Sequence, residues 1–337
     1  MKRVWLLLLV LTALGWAEPI DLARLGVYER GFQLVGFTPD GKLLGLERTR
    51  TTERQQGVGF RLWVLQLGSP GQEVPLIVPS VDDVCATRDG AVVMTQAGTT
   101  FLEVDFSTAR PRVLMAPSLD GPGFVGEAGT LRRIDQKVLV AGSFYQAGGQ
   151  LQPARLALLD PEGHGSEAFT PGPLLGDDQR VLAEWSSAEG GFTVEPDGQH
   201  QNLTYRRGTN QSLVLKAQSV TGLIARQERA LVTLVDHPGQ SQVVLVEGKT
   251  SRPLASGDLA YGYPQLSDDG TVAVVCQLDV VESSMQVLVG RKGDDYRLTP
   301  LEKLPLGQLQ LAPDGSKLAY LGPEGLQLFD LTPSQGR

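Results

Sequence analysis

Four aspartates of this 337-residue chain stand directly before a glycine and between short apolar runs: Asp40 in GFTPDGKLLGL, Asp89 in CATRDGAVVM, Asp269 in QLSDDGTVAVV and Asp314 in QLAPDGSKLAYL. A carboxylate that returns in a fixed setting could act as a general acid or base, or as an oxygen ligand for calcium. The doublets Asp82-Asp83, Asp177-Asp178, Asp268-Asp269 and Asp294-Asp295 offer the same chemistry in pairs, but none has the alternating oxygen-ligand spacing of a calcium loop. The histidines His164, His200 and His237 fall in separate stretches, with no Cys or His at metal-ligand spacing. The closest approach to a serine-nucleophile elbow, GHGSEA at Gly163 to Ala168, lacks the glycine two residues after Ser166. The sequence therefore assigns no catalytic residue, no metal ligand and no cofactor.

The setting of the aspartates is explained by local geometry. In Thr38-Pro39-Asp40-Gly41 and Ala312-Pro313-Asp314-Gly315, proline presets the negative φ of a type I turn. Aspartate can accept hydrogen bonds from nearby backbone N–H groups, and glycine takes the positive φ of the bulge that follows. These are hairpin turns, and the elements they join are short strands.

The turns also keep a period. Asp40, Asp89, Asp269 and Asp314 are separated by 49, 180 and 45 residues, and 180 is four times 45. Weaker copies fall in the gap: RIDQKVLVAG around Asp135, DDQRVLAEW around Asp178 and RQERALVTLV around Glu228. A further Pro-Asp-Gly at Pro196 to Gly198 is out of phase and reads as a different hairpin of the fourth repeat. A later strand ends in an acidic residue in FLEVDF (Asp105), RLALLDP (Asp160) and LQLFDL (Asp330). RLWVLQL and QVVLVEG are apolar on both faces, so their sheets must be covered on both sides. Seven repeats of about 46 residues, each with room for four short strands, predict an all-β fold: one seven-bladed β-propeller, with six or eight blades as the alternative.

A strand, Pro-Asp-Gly-Lys or Pro-Asp-Gly-Ser, and a second strand resemble the TolB-type propeller repeat, a relative of the WD repeats. The resemblance covers most of the chain after residue 17 and is sharpest around Asp40 and Asp314. It implies a propeller. TolB itself has six blades and a separate N-terminal α/β domain, for which this chain has no room, so TolB's partners and binding residues are not carried over.

Residues 1–17, MKRVWLLLLVLTALGWA, have a basic start, an apolar stretch and small residues before Glu18, the pattern of a cleaved secretory signal. The reading is a signal peptide at 1–17 and a propeller domain at 18–337, exported to the periplasm or outside the cell without stable membrane insertion. Loss of Lys2 and Arg3 leaves 28 of the 30 basic residues against 38 acidic ones, a balance that disfavours nucleic acid. Only 23 residues follow Asp314, so the segment from Glu18 to Gln33 is expected to supply the outer strand of the last blade. Cys85 and Cys276 fall on strands three blades apart and should be buried free thiols.

Two functions fit. One is a non-enzymatic binding or scaffold module for an envelope protein or glycan. The other is a propeller enzyme, lactonase-like or sugar-oxidising, whose polar groups meet only in the folded channel. For the first, long connections between second and third strands, and those between blades, share one face and would carry recognition. Arg48, Arg50, Arg54, Phe144 and Tyr145 are placed on the former, with Trp185, Tyr261 and Tyr263 nearby. Arginine and aromatic side chains on a rigid scaffold suit that role.

Overall fold

A computed structural model describes residues 20–332 apart from 21, 26, 28–30, 50–58, 67–69, 97, 99, 115–123, 135–136, 147–150, 160–165, 170–182, 186–189 and 208–209. The signal-like segment 1–17, Arg50, Arg54 and the turn residue Asp135 lie outside the described residues. Where Pro, Gly and Asp interrupt runs of Val, Leu and Ile, the chain turns back on itself, and most of what is described is strand.

Seven antiparallel sheets follow one another along the described chain. The first holds β1 (Gln33–Phe37), β2 (Leu43–Thr49), β3 (Gly59–Leu65) and β4 (Gln72–Leu76); the second β5 (Asp83–Ala86), β6 (Gly90–Thr95), β7 (Thr100–Asp105) and β8 (Arg110–Leu114). The third holds β9 (Phe124–Ile134), β10 (Lys137–Gln146), β11 (Leu151–Leu159) and β12 (Ser166–Phe169). The fourth holds β13 (Ala183–Trp185), β14 (Gly190–Asp197), β15 (His200–Arg207) and β16 (Asn210–Ala217). The fifth is β17 (Ser219–Arg226), β18 (Arg229–His237), β19 (Gln240–Glu247) and β20 (Thr250–Gly257). The sixth is β21 (Ala260–Leu266), β22 (Val272–Asp279), β23 (Ser284–Arg291) and β24 (Thr299–Pro305). The last has three named strands, β25 (Gln308–Leu311), β26 (Lys317–Gly322) and β27 (Gly325–Asp330). Every sheet is a meander. No helix among the described residues is long and apolar enough to cross a membrane.

First strands lie beside first strands. β1 neighbours β5, β5 neighbours β9, β13 neighbours β17, β17 neighbours β21, β21 neighbours β25, and β25 returns to β1. Side-chain acceptors tie sheets where no ladder can: Leu34 N–H donates to Gln308 Oε1 (2.7 Å), Leu131 N–H to Asp83 Oδ2 (2.8 Å) and Val220 N–H to Gln201 Oε1 (2.6 Å). The core lies between sheets. Leu44, Leu62 and Val74 of the first sheet pack with Ala91, Val93 and Val104 of the second, all fully buried. This accounts for strands that are apolar on both faces.

The ladder of turns is found at Asp40, Asp89, Glu228, Asp269 and Asp314, each between the first and second strand of its sheet. The fourth sheet departs from it. There the first strand is Ala183–Trp185 and the second Gly190–Asp197, while Asp178 lies outside the described residues. The out-of-phase Pro196-Asp197-Gly198 joins β14 to β15. Closure has the expected direction: Ile20 forms an antiparallel bridge with Leu326 on the free edge of β27, its N–H donating to Leu326 O at 2.6 Å.

Cys85 on β5 and Cys276 on β22 are both buried, and neither is in a disulfide. Burial pushes the Cys276 thiol from 9.0 up to about 12. Because the folded value lies above the unfolded one, this thiol leaves stability unchanged below pH 9.0 and subtracts from it as pH rises from there towards 12. Ellman's reagent at pH about 8 should find no reactive thiol in the native protein and two in urea. Rapid release of one equivalent from the native protein, or a mass two hydrogens light, would contradict the assignment.

Candidate functional site

Three of the four recurring aspartates, Asp40, Asp269 and Asp314, are engaged in their own turns. Asp269 accepts from Ser267 Oγ (2.7 Å), Thr271 N–H (2.9 Å) and Thr271 Oγ1 (2.8 Å). Asp314 accepts from Ser316 N–H (2.9 Å) and its hydroxyl (2.8 Å), and Asp40 pairs with Thr38 Oγ1 and with Lys42 Nζ at 2.7 Å. The strand-ending acids behave alike: Asp105 accepts from Ser107 N–H (2.7 Å) and Asp330 from Thr332 N–H (2.8 Å). At Asp269 partial burial pulls the carboxyl up, but the Ser267 and Thr271 donors together outweigh it and hold it below the usual carboxylate range. At Asp105 and Asp330 the neighbouring Ser107 and Thr332 donors are the leading cause of the same shift. The carboxylates of Asp105, Asp269 and Asp330 therefore stay ionised as hairpin acceptors.

The inner strands enclose a cavity of about 490 Å³, lined among others by Gln33, Asp82, Asp83, Gln265 and Gln310. At its turn-side end Arg133 from β9 and Arg226 from β17 converge on one carboxylate, that of Asp268 in the β21–β22 turn. Arg226 Nε stands 3.1 Å from Oδ1, and Arg133 Nη2 contacts Oδ2. The Arg133 side chain is only 16% exposed. Asp268 does no work in its own turn, because Asp269 supplies the acceptor there. Its carboxylate instead braces the third, fifth and sixth sheets against one another across the opening. Among the described residues no group of three His, Cys, Asp or Glu side chains could hold a metal ion.

The expected recognition residues separate. Arg48 is exposed near the end of β2 that enters the second-to-third connection. Phe144 and Tyr145 lie within β10, opposite Gln152 and Leu151 of β11, because that hairpin stays paired past a register shift at Gly142/Phe144. Trp185 closes β13 opposite Gly191, at the end leading to the first-to-second connection, and so belongs to the other edge of the ring. Tyr261 is not on a linker: it pairs with Gln277 and is 5% exposed, packed with Leu231, Leu245 and Val275. Tyr263 is 45% exposed on the bulge of β21, with φ of 52°.

On the edge of the second-to-third and inter-sheet connections, the turn after β22 holds Val280 at 75% and Val281 at 95% exposure. That turn is ordered. Asp279 Oδ1 accepts from Val281 N–H (3.1 Å) and Glu282 N–H (3.0 Å), Glu282 pairs with Lys303, and Leu306 N–H donates to Ser283 O (3.1 Å). Leu306 and Leu259, both in inter-sheet connections of the same corner, are also exposed. The sequence signal was present: two valines between turn-forming Asp279 and Glu282 are out of place in a solvated hairpin tip.

No protein-family model matches the sequence, and no curated protein does either. Solved structures share the fold at low identity. An uncharacterized protein of Listeria monocytogenes aligns with 96% of this chain and 100% of its own at 9% identity and a TM-score of 0.59. The acylaminoacyl peptidase of Pyrococcus horikoshii aligns over 86% of this chain with a TM-score of 0.60 at 8% identity, and this chain spans only 49% of it. The Dos1 propeller aligns over 88% of this chain and 77% of its own, at 12% identity and a TM-score of 0.51. The chain thus has a propeller-like all-β fold.

Proposed function

We propose that the protein is a single seven-bladed propeller, exported from the cytoplasm, that serves as a non-enzymatic binding module for a protein of the cell envelope. One observation carries the reading: Val280, Val281, Leu306 and Leu259 stand out at one corner of a rigid ring, on the face formed by second-to-third and inter-sheet connections. Exposed apolar side chains held by hydrogen-bonded turns lose little entropy on docking and gain from burial against a partner. Aliphatic groups favour a protein partner over a glycan, which would call for stacked aromatics and free hydrogen-bonding groups. Arg48 and Tyr263, exposed on the first and sixth sheets, are proposed to extend the contact. The TolB-type likeness is read here as kinship of the repeat and lends no partner.

A photo-crosslinking residue at position 281, expressed in the native host, tests the proposal. The expected result is a crosslink to one envelope protein that is weakened at least about fivefold by Val280→Ser with Leu306→Ser, with an unchanged melting temperature. Crosslinks obtained only from the Asp-Gly turn edge, for example from position 316, would place recognition on the opposite face and sink the reading.

A further inference from the structure

The opposite face carries a second feature, an open cleft of about 1090 Å³ over the first, second and third sheets. Its floor and walls come from the β1–β2 turn (Pro39, Asp40), the β5–β6 turn (Arg88, Asp89), the β7–β8 turn (Asp105 to Arg110) and the end of β9 (Arg133). In a chain with a formal charge of -8, four arginines line this one cleft: Arg88, Arg110, Arg112 and Arg133. Two of them already hold carboxylates. Arg112 Nε is 2.8 Å from Glu103 Oε2, and Arg133 contacts Asp268. Arg88 and Arg110 are exposed and have no ion pair with another described residue.

The acidic groups that share the cleft are largely committed. Asp40 is paired with Lys42, Glu103 with Arg112, and Asp105 with the N–H and hydroxyl donors of its own turn. What remains open is the guanidinium forks of Arg88 and Arg110, in a cleft that Asp89, Pro39 and Pro111 also line. Guanidinium forks match planar carboxylates. A uniformly charged polyanion would have to lie against Asp40, Asp89, Glu103 and Asp105, whereas a polypeptide can space its acidic side chains and set small apolar ones against the prolines.

We propose that this cleft binds an acidic polypeptide segment, whose carboxylates pair with Arg88 and Arg110 while its intervening side chains rest on Pro39 and Pro111. The site is separate from the apolar corner, and either can fail without the other. Arg133 lines both this cleft and the central cavity, so the bound segment runs from the outer strand β8 towards the channel mouth.

The probe is a fluorescein-labelled peptide of about eight alternating Glu and Ala residues, long enough to span about 26 Å when extended. Fluorescence anisotropy with the full chain should show saturable binding that weakens as salt is raised. The Arg88→Ala, Arg110→Ala double variant should bind about tenfold more weakly with an unchanged melting temperature, two exposed pairs each contributing a few-fold. Arg88→Glu alone should reduce binding further than Arg88→Ala. Equal affinity for the matched Gln-Ala peptide, or binding that survives the double variant, overturns the proposal. Inorganic polyphosphate or a heparin oligosaccharide that binds more tightly than the Glu-Ala peptide would overturn it as well, by assigning the cleft to a polyanion.

Discussion

A chain beginning at residue 31 should unfold with about 4 kcal/mol less free energy than one beginning at residue 18, in a single transition moved to lower denaturant. The loss has three parts. Ile20 gives up the only backbone bond described on the outer side of β27. Val27, 4% exposed, leaves a cluster with Phe32, Leu34, Phe37, Leu43, Ala319 and Leu326 that joins the first sheet to the last, and full burial of a valine contributes about 2 kcal/mol. Ile20 and Leu22, packed against the same cluster, go with it. The edge of β27 would then lie open, which invites pairing between chains. Urea titration of the two chains decides the matter. Equal midpoints would mean that the last sheet is complete without its N-terminal neighbour.

That closing contact is legible from the architecture, because the last sheet of a ring keeps a bare edge unless a segment such as Glu18 to Gln33 covers it. The hairpin ladder was legible for a different reason. A Pro-Asp-Gly or Asp-Gly turn is decided by four adjacent residues, so Asp40, Asp269 and Asp314 report on structure wherever they occur. Where the turn chemistry fades the register is harder to read: Asp178 lies outside the described residues, and the first two strands of the fourth sheet are Ala183–Trp185 and Gly190–Asp197. Nothing in GSFYQAGG marks how far a hairpin stays paired, so the sequence does not tell that Phe144 and Tyr145 belong to a strand rather than a loop. The brace of Arg133, Asp268 and Arg226 was out of reach altogether. Its members are 135 and 42 residues apart, and only ring closure brings them to one point. Residue type suggests chemistry, but position around a ring decides which residues meet.

Glycine shows the same limit at the scale of one atom, and the second large effect follows from it. In the turns at Asp40, Asp269 and Asp314 the glycine has φ of 82°, 67° and 70°, as the bulge requires. Gly90 looks identical in sequence, yet it is already in β6, opposite Asp105, and is not in the left-handed region. Its need for a bare Cα comes from packing: a Cβ there would stand 2.0 Å from Val104 O and 3.1 Å from Val104 C, both backbone atoms that cannot rotate away. Gly41 has no atom within 4 Å of such a Cβ, so alanine there meets only the cost of its positive φ. Gly41→Ala should therefore destabilise by about 1 kcal/mol, and Gly90→Ala by about 3 kcal/mol, since β6 and β7 must part or slide to admit the methyl group. The second-sheet strands also carry Val92, Val93 and Val104, all fully buried, so a shift there is transmitted to the first and third sheets rather than absorbed at a hairpin tip. Chemical denaturation of the two variants side by side is the measurement. Equal losses would show that Gly90, like Gly41, is kept only for its backbone freedom.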